Sequence, residues 1–252
     1  MGADWNHIKK ELNGIGLNVV GVADGRPYES LLPGCRSVVV FASGGRDLWN
    51  AFYADLKAHP EHLVAEDHPF DAFVARGVAA VDPKPDSTRR WVFCAARSDV
   101  FVDFRLLAHR AGLGWTSVMG LLLHPRYGLW IGLRAACFTS DVLPRGDALS
   151  GEGPCASCSK PCMASCPGEA FPDGALDIHR CARFHLESES CHGRCHARLA
   201  CPVGHEYRHS ALQHHYHNAR ATGRIELARR LGIEDDRREG EGPYWEEWSE
   251  VS

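Results

Sequence analysis

Crowded cysteines constrain this chain more than any other feature of its sequence. Of the 11 cysteines, 8 lie between Cys155 and Cys201. The sequence shows no secretory signal, so we expect a cytoplasmic location, where thiols stay reduced and a disulfide framework is not expected. Cytosolic cysteines at short spacings usually bind metal. Because this segment is short of long apolar periodic runs, we expect metal ligation to supply its order.

The spacing of these cysteines indicates the kind of metal centre. One group reads C-x2-C-x3-C-x3-C-P, and the next reads C-x9-C-x3-C-x5-C-P. Two four-cysteine groups that each end in Cys-Pro are typical of bacterial ferredoxins with two [4Fe–4S] clusters, in which the fourth cysteine ligates the other cluster. The predicted ligands of the first cluster are Cys155, Cys158, Cys162 and Cys201, and those of the second are Cys166, Cys181, Cys191 and Cys195.

Other metal centres remain open at this point. Both groups depart from the usual C-x2-C-x2-C-x3-C-P spacing, which leaves room for one distorted or three-iron cluster. Zinc is the main alternative, because its four-ligand sites use similarly short spacings and His192 and His196 lie among the cysteines. Histidine is concentrated here, with 9 of 15 between His179 and His217, and we interpret these mainly as polar residues of helix faces. The two Cys-Pro endings favour iron–sulfur clusters.

The first half of the chain has the pattern of a layered α/β domain. Apolar, β-branched runs at 17–23 and 37–42 predict buried strands, and further short strands are expected at 115–119, 120–123, 129–133 and 135–139. Helices are predicted over 5–12, 47–58, 68–80 and 99–110, the last with Ser98 as its N-cap, and a loop over 81–89. Two more helices are predicted at 205–220 and 224–231.

These patterns predict three parts. Residues 1–148 form an α/β domain, 149–205 a ferredoxin-like domain with two [4Fe–4S] clusters, and 206–252 C-terminal helices with an acidic tail. No apolar run approaches the ~18 residues of a membrane span, so no membrane partner is expected. The net charge of −4 gives no reason to expect a nucleic-acid partner. Phosphate-binding glycine loops and nucleophile elbows are not recognisable.

Several stretches, in the same order, make the chain similar to the epoxyqueuosine reductases and, more distantly, to the reductive dehalogenases. They lie at 100–103, at 110–115 (Arg-Ala-Gly-Leu-Gly-Trp), at 128–133, at 139–143 and at 166–171 (Cys-Pro-Gly-Glu-Ala-Phe). The resemblance implies a nitroreductase-like α/β fold followed by a two-cluster ferredoxin-like domain, with cobalamin as a further cofactor. It makes residues 1–148 a corrinoid- or substrate-binding-like domain. It also implies an external electron donor of the flavodoxin or ferredoxin reductase type, and a small-molecule substrate or a corrinoid as binding partner.

The resemblance also implies roles for particular residues. Asp103 matches the family's proton donor, and we expect burial beside the apolar face of its helix to raise its pKa. Gly112, Gly114 and Trp115 match the cofactor-binding stretch. After Trp115, however, Thr-Ser-Val-Met-Gly stands where the family has Gly-Lys-Asn. The family's helical-repeat extension is missing too, and together with the net charge this argues against a tRNA substrate.

Two functions from different classes follow. The first is an iron–sulfur oxidoreductase that relays electrons through two clusters to a corrinoid or substrate in the α/β domain. The alternative is a ferredoxin-type electron carrier, or a corrinoid-binding protein without reductase activity, which the departures from the family pattern favour. A third interpretation is a zinc-stabilised interaction module.

Overall fold

The computed structural model describes residues 4–83, 85, 87–94, 100–146 and 149–234. Its strands are β1 (Val19–Asp24), β2 (Ser37–Gly44), β3 (Arg89–Phe93), β4 (Trp115–Thr116), β5 (Leu122–Leu123) and β6 (Ile131–Thr139). The central sheet has the order β1-β2-β6-β3 with every pair antiparallel, and β4 and β5 form a separate two-stranded sheet. Every residue of β2 is buried, as its continuous apolar run predicts for an inner strand.

The helices surround this sheet and continue through the cysteine segment. They are α1 (Trp5–Gly14), α2 (Asp47–Ala58), α3 (Glu61–Ala65), α4 (Pro69–Val81), α5 (Phe104–Arg110), α6 (Pro161–Ala164), α7 (Ile178–Glu187), α8 (His196–Ala200), α9 (Ala211–Asn218) and α10 (Arg220–Leu231). The expected mixed α/β class is confirmed. In the described part of the chain, no helix is long and apolar enough to cross a membrane.

Each face of the central sheet carries its own apolar core. Phe41 of β2 points into one core with residues of α1, α2, α4, α9 and α10, whereas Val40 points into the other with α5. This alternation along β2 is the period-2 pattern of a strand covered on both faces. Tyr216 of α9 and Leu227 of α10 belong to the first core, so the C-terminal helices pack directly on the α/β body.

A third core joins the cysteine segment to the α/β body. Met119, Leu123 and Leu129 pack there against the buried Cys162 and Cys201. Beside it, Gly128 has a φ of 57°, and a Cβ at this position would lie 1.9 Å from the Val203 carbonyl oxygen. Only glycine permits this backbone approach, which fixes the chain just after Cys201.

Several predicted elements need correction. The expected loop over 81–89 is followed by β3, an unexpected strand at the sheet edge whose arginines obscured its pattern. The two strands predicted at 129–133 and 135–139 are one strand, β6. Ala135 pairs with Phe41 and Leu133 with Ala42, so Arg134 forms a bulge that interrupts the alternation. The strands predicted at 115–119 and 120–123 shorten to β4 and β5.

Three helix starts also differ from the prediction, and one of them is α10, which begins at Arg220 and not at residue 224. Helix α5 begins at Phe104 with Asp103 as its N-cap, not at residue 99; the proposed Ser98 cap lies outside the described residues. The helix predicted over 205–220 divides into a 3-10 turn (His205–Tyr207) and α9, because Ser210 caps a new helix by accepting the Gln213 amide proton.

Candidate metal centre

The first four predicted ligands come together although Cys201 is far from the others in sequence. Burial raises the pKa of the Cys162 thiol, and three neighbouring thiols raise it further, those of Cys201, Cys155 and Cys158. Burial likewise raises the pKa of Cys201, with contributions from Cys155 and Cys158 and an opposing one from the Arg208 guanidinium. We call Cys155, Cys158, Cys162 and Cys201 the first cysteine group.

The other four predicted ligands form a second cysteine group of Cys166, Cys181, Cys191 and Cys195. Burial raises the pKa of the Cys181 thiol, and the thiols of the other three members raise it further. The eight side chains thus separate into the two sets of four that the Cys-Pro motifs predict, and disulfides do not join them. Ligation by iron or another metal remains a proposal.

Local structure explains how the first group is held. The Trp115 indole nitrogen donates to the Gly151 carbonyl oxygen at 3.1 Å, and the ring covers Gly153, where a Cβ would meet it at 2.6 Å. This contact anchors the start of the cysteine segment. Lys160 then adopts a left-handed conformation with φ 56°, and its amide donates to the Cys158 sulfur at 3.3 Å. Amide donors to sulfur are a common means of tuning iron–sulfur centres.

Different elements present the second group. Cys166 follows α6, Cys181 lies in α7, Cys191 ends a 3-10 turn, and Cys195 is the N-cap residue of α8. Helix α7 starts where it does because the Asp177 carboxylate caps it by accepting the amide protons of His179 and Arg180. Short helices separated by caps therefore replace the tight loop of a usual ferredoxin motif.

The sulfur spacing bears on the choice between zinc and a cluster. A tetrahedral zinc ion with Zn–S bonds of about 2.3 Å holds its sulfurs about 3.8 Å apart. Within the described residues, which include all eight of these cysteines, the only three potential ligand atoms within 4.8 Å of one another belong to His59, Glu61 and His62. No three of the eight thiols lie all within that distance of one another, and an all-thiol donor set is the one that iron–sulfur clusters use.

The two histidines among the cysteines have other contacts. His192 Nε2 lies 2.7 Å from the His185 carbonyl oxygen, and His196 Nε2 lies 3.1 Å from the Ser190 carbonyl oxygen. Ring nitrogens that hydrogen-bond to backbone carbonyls carry a proton and are not metal ligands at that atom. The contacts therefore fix the tautomer of each ring and leave Nδ1 as the nitrogen with a free lone pair, so the preference for iron–sulfur clusters rests on the cysteines alone.

His214 connects the second group with the α/β body. The Cys195 amide donates to His214 Nε2 at 3.2 Å, and the His214 ring packs edge-on against Trp130 at 5.6 Å between centroids. Burial lowers the pKa of His214 to about 4, with a further contribution from Arg198. The ring is therefore neutral at pH 7, as its acceptor role requires. The interpretation of this histidine as a polar helix-face residue was wrong, because its side chain is buried.

Arg198 places a buried positive charge beside the second group. Its Nη2 donates to the Leu129 carbonyl oxygen at 2.6 Å, and its guanidinium lies over the Trp130 ring at 4.7 Å. Burial lowers its pKa to about 10, opposed by the Cys195 thiolate, so the side chain stays protonated at neutral pH. A buried guanidinium at this place offsets the negative charge that four thiolates and a cluster would carry.

Buried side-chain atoms of Trp130 and of two residues of the C-terminal segment lack hydrogen-bond partners within the part of the chain that the structure describes. The His209 ring packs against Trp130 at 5.1 Å, and burial lowers its pKa to about 2, with Arg198 the next contributor. Three buried atoms here have no hydrogen-bond partner among the described residues, namely Trp130 Nε1, His209 Nδ1 and Gln213 Oε1. We call these residues the Trp130 polar cluster. Buried polar atoms of this kind usually bind water or a ligand.

The remaining predicted site residues have structural contacts. Asp103 is exposed, so the expected burial is absent, and its carboxylate accepts the amide protons of Arg105 and Leu106 at 3.0 Å each. Gly112 ends α5 with φ 75°, and at Gly114 a Cβ would lie 2.5 Å from the Leu123 carbonyl oxygen. Of the predicted cofactor-binding residues, Trp115 is the one that contacts the cysteine segment. Proton donation by Asp103 and cofactor binding by the others remain predictions.

The sequence motifs did not predict roles for Trp130 and Arg198. Trp130 lies in a run with the pattern of a strand and in one of the family-like stretches, and Arg198 lies between the ligand candidates Cys195 and Cys201. A single arginine in a short helix gives no local sign of such packing. The environment of Arg198 depends on its contacts with Leu129 and Trp130, which are distant in sequence.

Comparison with known proteins gives structural similarity alone. No protein-family model and no curated protein matches the chain. A reductive dehalogenase, NpRdhA, is similar with a TM-score of 0.51 and 17% identity over 90% of this chain and 33% of that one. The B12-trafficking protein CblC of C. elegans has a TM-score of 0.55 and 13% identity, covering 93% of this chain and 98% of that one.

An epoxyqueuosine reductase is also similar, with a TM-score of 0.49 and 17% identity over 79% of this chain. The chain spans about 65% of the length of that enzyme. The motifs predicted similarity to epoxyqueuosine reductases and reductive dehalogenases, and structures of both kinds are among the similar ones. At these identities the similarity concerns the fold: this chain has a fold similar to those of the dehalogenase and CblC.

Proposed function

We propose that this chain is an iron–sulfur oxidoreductase that carries one [4Fe–4S] cluster in each cysteine group. The observation that carries the proposal is the separation of eight cysteines, between 155 and 201 in sequence, into two sets of four mutually interacting thiols. The clusters, when bound, supply one-electron transfer. A cytoplasmic location accords with this chemistry, because unligated thiols of this kind stay reduced there.

The second group would be the one that delivers electrons. Its Cys195 amide is hydrogen-bonded to His214, which in turn packs on Trp130. The fully buried Trp130 excludes water, while Arg198 supplies a fixed positive charge on the same side. A nearby cation favours uptake of an electron by a negatively charged cluster, whereas low solvent access opposes it and makes the reduced cluster the stronger electron donor. An external donor of the flavodoxin or ferredoxin reductase type would reduce the first group.

The acceptor would be a corrinoid or a small-molecule substrate beside the Trp130 polar cluster. Unsatisfied buried atoms of Trp130, His209 and Gln213 support a polar ligand at that place. The similarity in fold to a B12-trafficking protein supports a corrinoid in particular. One similar structure is an epoxyqueuosine reductase with a tRNA stem loop, but the net charge of −4 gives no support to tRNA as a substrate here.

The division of the chain stays part of the proposal. Residues 149–205 would form the cluster-bearing unit on the α/β part of residues 1–148. The residues from 206 onward do not stand apart from that body, because Tyr216 and Leu227 pack into its core.

The second candidate is an electron carrier, or a corrinoid-binding protein, without reductase activity. The exposure of Asp103 and its hydrogen bonds to its own helix favour this candidate, because they give the carboxylate a capping role. Retention of added cobalamin on anaerobic gel filtration, followed by assay of reduction, distinguishes the two. Retention of cobalamin together with electron transfer supports the reductase. If neither is observed, the electron carrier is supported.

Paired cysteine variants test the two-cluster assignment. We expect Cys162→Ser to lose the first cluster and Cys191→Ser to lose the second, so each variant should retain about half of the wild-type iron and sulfide. Cys94→Ser is the matched control, because Cys94 is exposed and lies outside both groups. Equal iron loss in all three variants, or no loss in any, would contradict the assignment.

A further inference from the structure

The turn between α2 and α3 gathers two histidines and a glutamate far from the cysteine groups in sequence. The residues are His59, Glu61 and His62, and one potential ligand atom from each lies within 4.8 Å of the other two. His59 Nδ1 is 3.4 Å from Glu61 Oε1, and the two imidazole rings are 5.0 Å apart between centroids. From this geometry we propose that the turn binds a divalent transition-metal ion of the zinc type.

The backbone holds these side chains on one turn. The His59 amide donates to the Asp55 carbonyl oxygen at 2.7 Å and so ends α2, and Pro60 then opens α3. The His62 amide donates to the His59 carbonyl oxygen at 3.1 Å, while the next side chain, Leu63, is fully buried in the first core. A rigid turn of this kind presents its ligands with little entropy left to lose on binding.

The Asp55 carboxylate hydrogen-bonds to one of the proposed ligands, His62. Asp55 Oδ2 lies 2.9 Å from His62 Nδ1, which leaves His62 Nε2 for a metal. Histidine ligands in proteins usually have such a carboxylate at the second ring nitrogen, which orients the ring and raises its basicity. Arg76 Nη2 donates to the same carboxylate oxygen at 3.0 Å and so holds Asp55 in place; with the Nδ1 proton directed at Asp55, its 3.1 Å approach to His62 Nδ1 is a contact and not a hydrogen bond.

The third ligand supplies a carboxylate oxygen beside the two imidazole rings, at the start of α3. Two imidazole nitrogens and one carboxylate oxygen are a donor set that suits zinc and neighbouring transition metals. The His59 and Glu61 side chains are 55% and 66% exposed, so an ion from solution can reach them directly.

Three protein ligands leave one position of a tetrahedral ion open. Pro60 and Glu61 also line a groove of about 490 Å³, whose opposite side is formed by the end of α10, at residues 230–234. An ion on this turn would therefore lie at the rim of that groove, with its open position available to water or to a small anionic ligand.

Metal binding by anaerobically purified protein tests the proposal. Zn²⁺ and Co²⁺ are the probes, and equilibrium dialysis with metal analysis gives the number of ions bound per chain. We expect wild type to bind one ion more than the His59→Gln/His62→Gln double variant, with unchanged iron content in both. In the Co²⁺ form, this ion should lack the intense sulfur-to-cobalt charge-transfer bands that thiolate ligands give. The matched control is His7→Gln/Glu11→Gln, which removes another exposed His–Glu pair, 4.0 Å apart, on α1.

The outcomes separate cleanly. Loss of one ion in the turn variant alone supports the site, and Asp55→Asn should then weaken binding by about 10-fold or more. Equal binding by wild type and the turn variant overturns the proposal, as does an equal loss in the α1 control. Because iron is counted in every sample, failure of this site and failure of the two-cluster function are distinguishable.

Discussion

Gly128 joins the cysteine segment to the α/β body, and Gly128→Ala tests this joint. The new methyl group carries two penalties. A left-handed alanine costs about 1–2 kcal/mol relative to its preferred conformation. Overlap with the Val203 carbonyl oxygen, 1.9 Å from the ideal Cβ position, adds about 1–3 kcal/mol, because both partners are backbone and neither can rotate away. We therefore expect the free energy of unfolding to fall by about 2–5 kcal/mol.

The same substitution should affect the first cysteine group specifically. Val203 follows Cys201 by two residues, so relief of the overlap displaces a member of that group. Gly34→Ala is the control, since Gly34 has a similar φ of 76° but nothing within 4 Å of its Cβ position. It should lose only about 1–2 kcal/mol and no iron. Urea unfolding and iron analysis measure both effects; equal losses in the two variants would refute the reasoning.

Three further predictions follow from single side chains. Arg198→Met should lower the reduction potential of the second cluster by roughly 60 mV, equivalent to about 1.4 kcal/mol for one electron, because a buried cation is lost. Redox titration followed by electron paramagnetic resonance measures this potential. The control is the exposed Arg229→Met, which should leave the potential unchanged. Burial lowers the pKa of His209 to about 2 from 6.5, so its neutral ring contributes stability above about pH 6.5 that declines as the pH falls. His209→Asn should therefore flatten the fall in unfolding free energy between about pH 7 and pH 5 in urea titrations, and an unchanged slope would contradict this. Asp103→Ala should lower the free energy of unfolding by about 1 kcal/mol through loss of the α5 cap, whereas Asp103→Asn should keep the cap and the stability. If Asp103→Asn nevertheless abolishes substrate reduction, the role of Asp103 as an acid is supported. Full activity of Asp103→Asn would reject that role.

Local patterns predicted the elements whose signals lie within one stretch of chain. Helix α2 occupies 47–58 as expected, because its apolar residues follow helical spacing between clear ends. The pairing of Cys201 with the distant Cys155–Cys162 stretch was also predictable, since the Cys-Pro motif implies an exchange of ligands between clusters. The contacts between these thiols do not by themselves identify the metal that the thiols bind.

Long-range contacts account for what the sequence did not reveal. The edge strand β3 was missed because it begins with Arg89 and Arg90, which read as polar surface; in the fold, Arg89 is paired with the buried Asp82 at 3.1 Å. Asp103 was expected inside a helix, but its short side chain is better suited to cap one, and the chain before it is not helical at residues 100–102. The buried environment of Arg198 depends on Trp130, which is 68 residues earlier in the chain.

Iron, sulfide and zinc analysis of the anaerobically purified wild-type protein tests the central claim most directly. Two cubane clusters predict about eight irons and about eight acid-labile sulfides per chain, with no zinc retained by the cysteines. Stoichiometric zinc without sulfide would contradict the redox function and would make the two cysteine groups structural zinc sites.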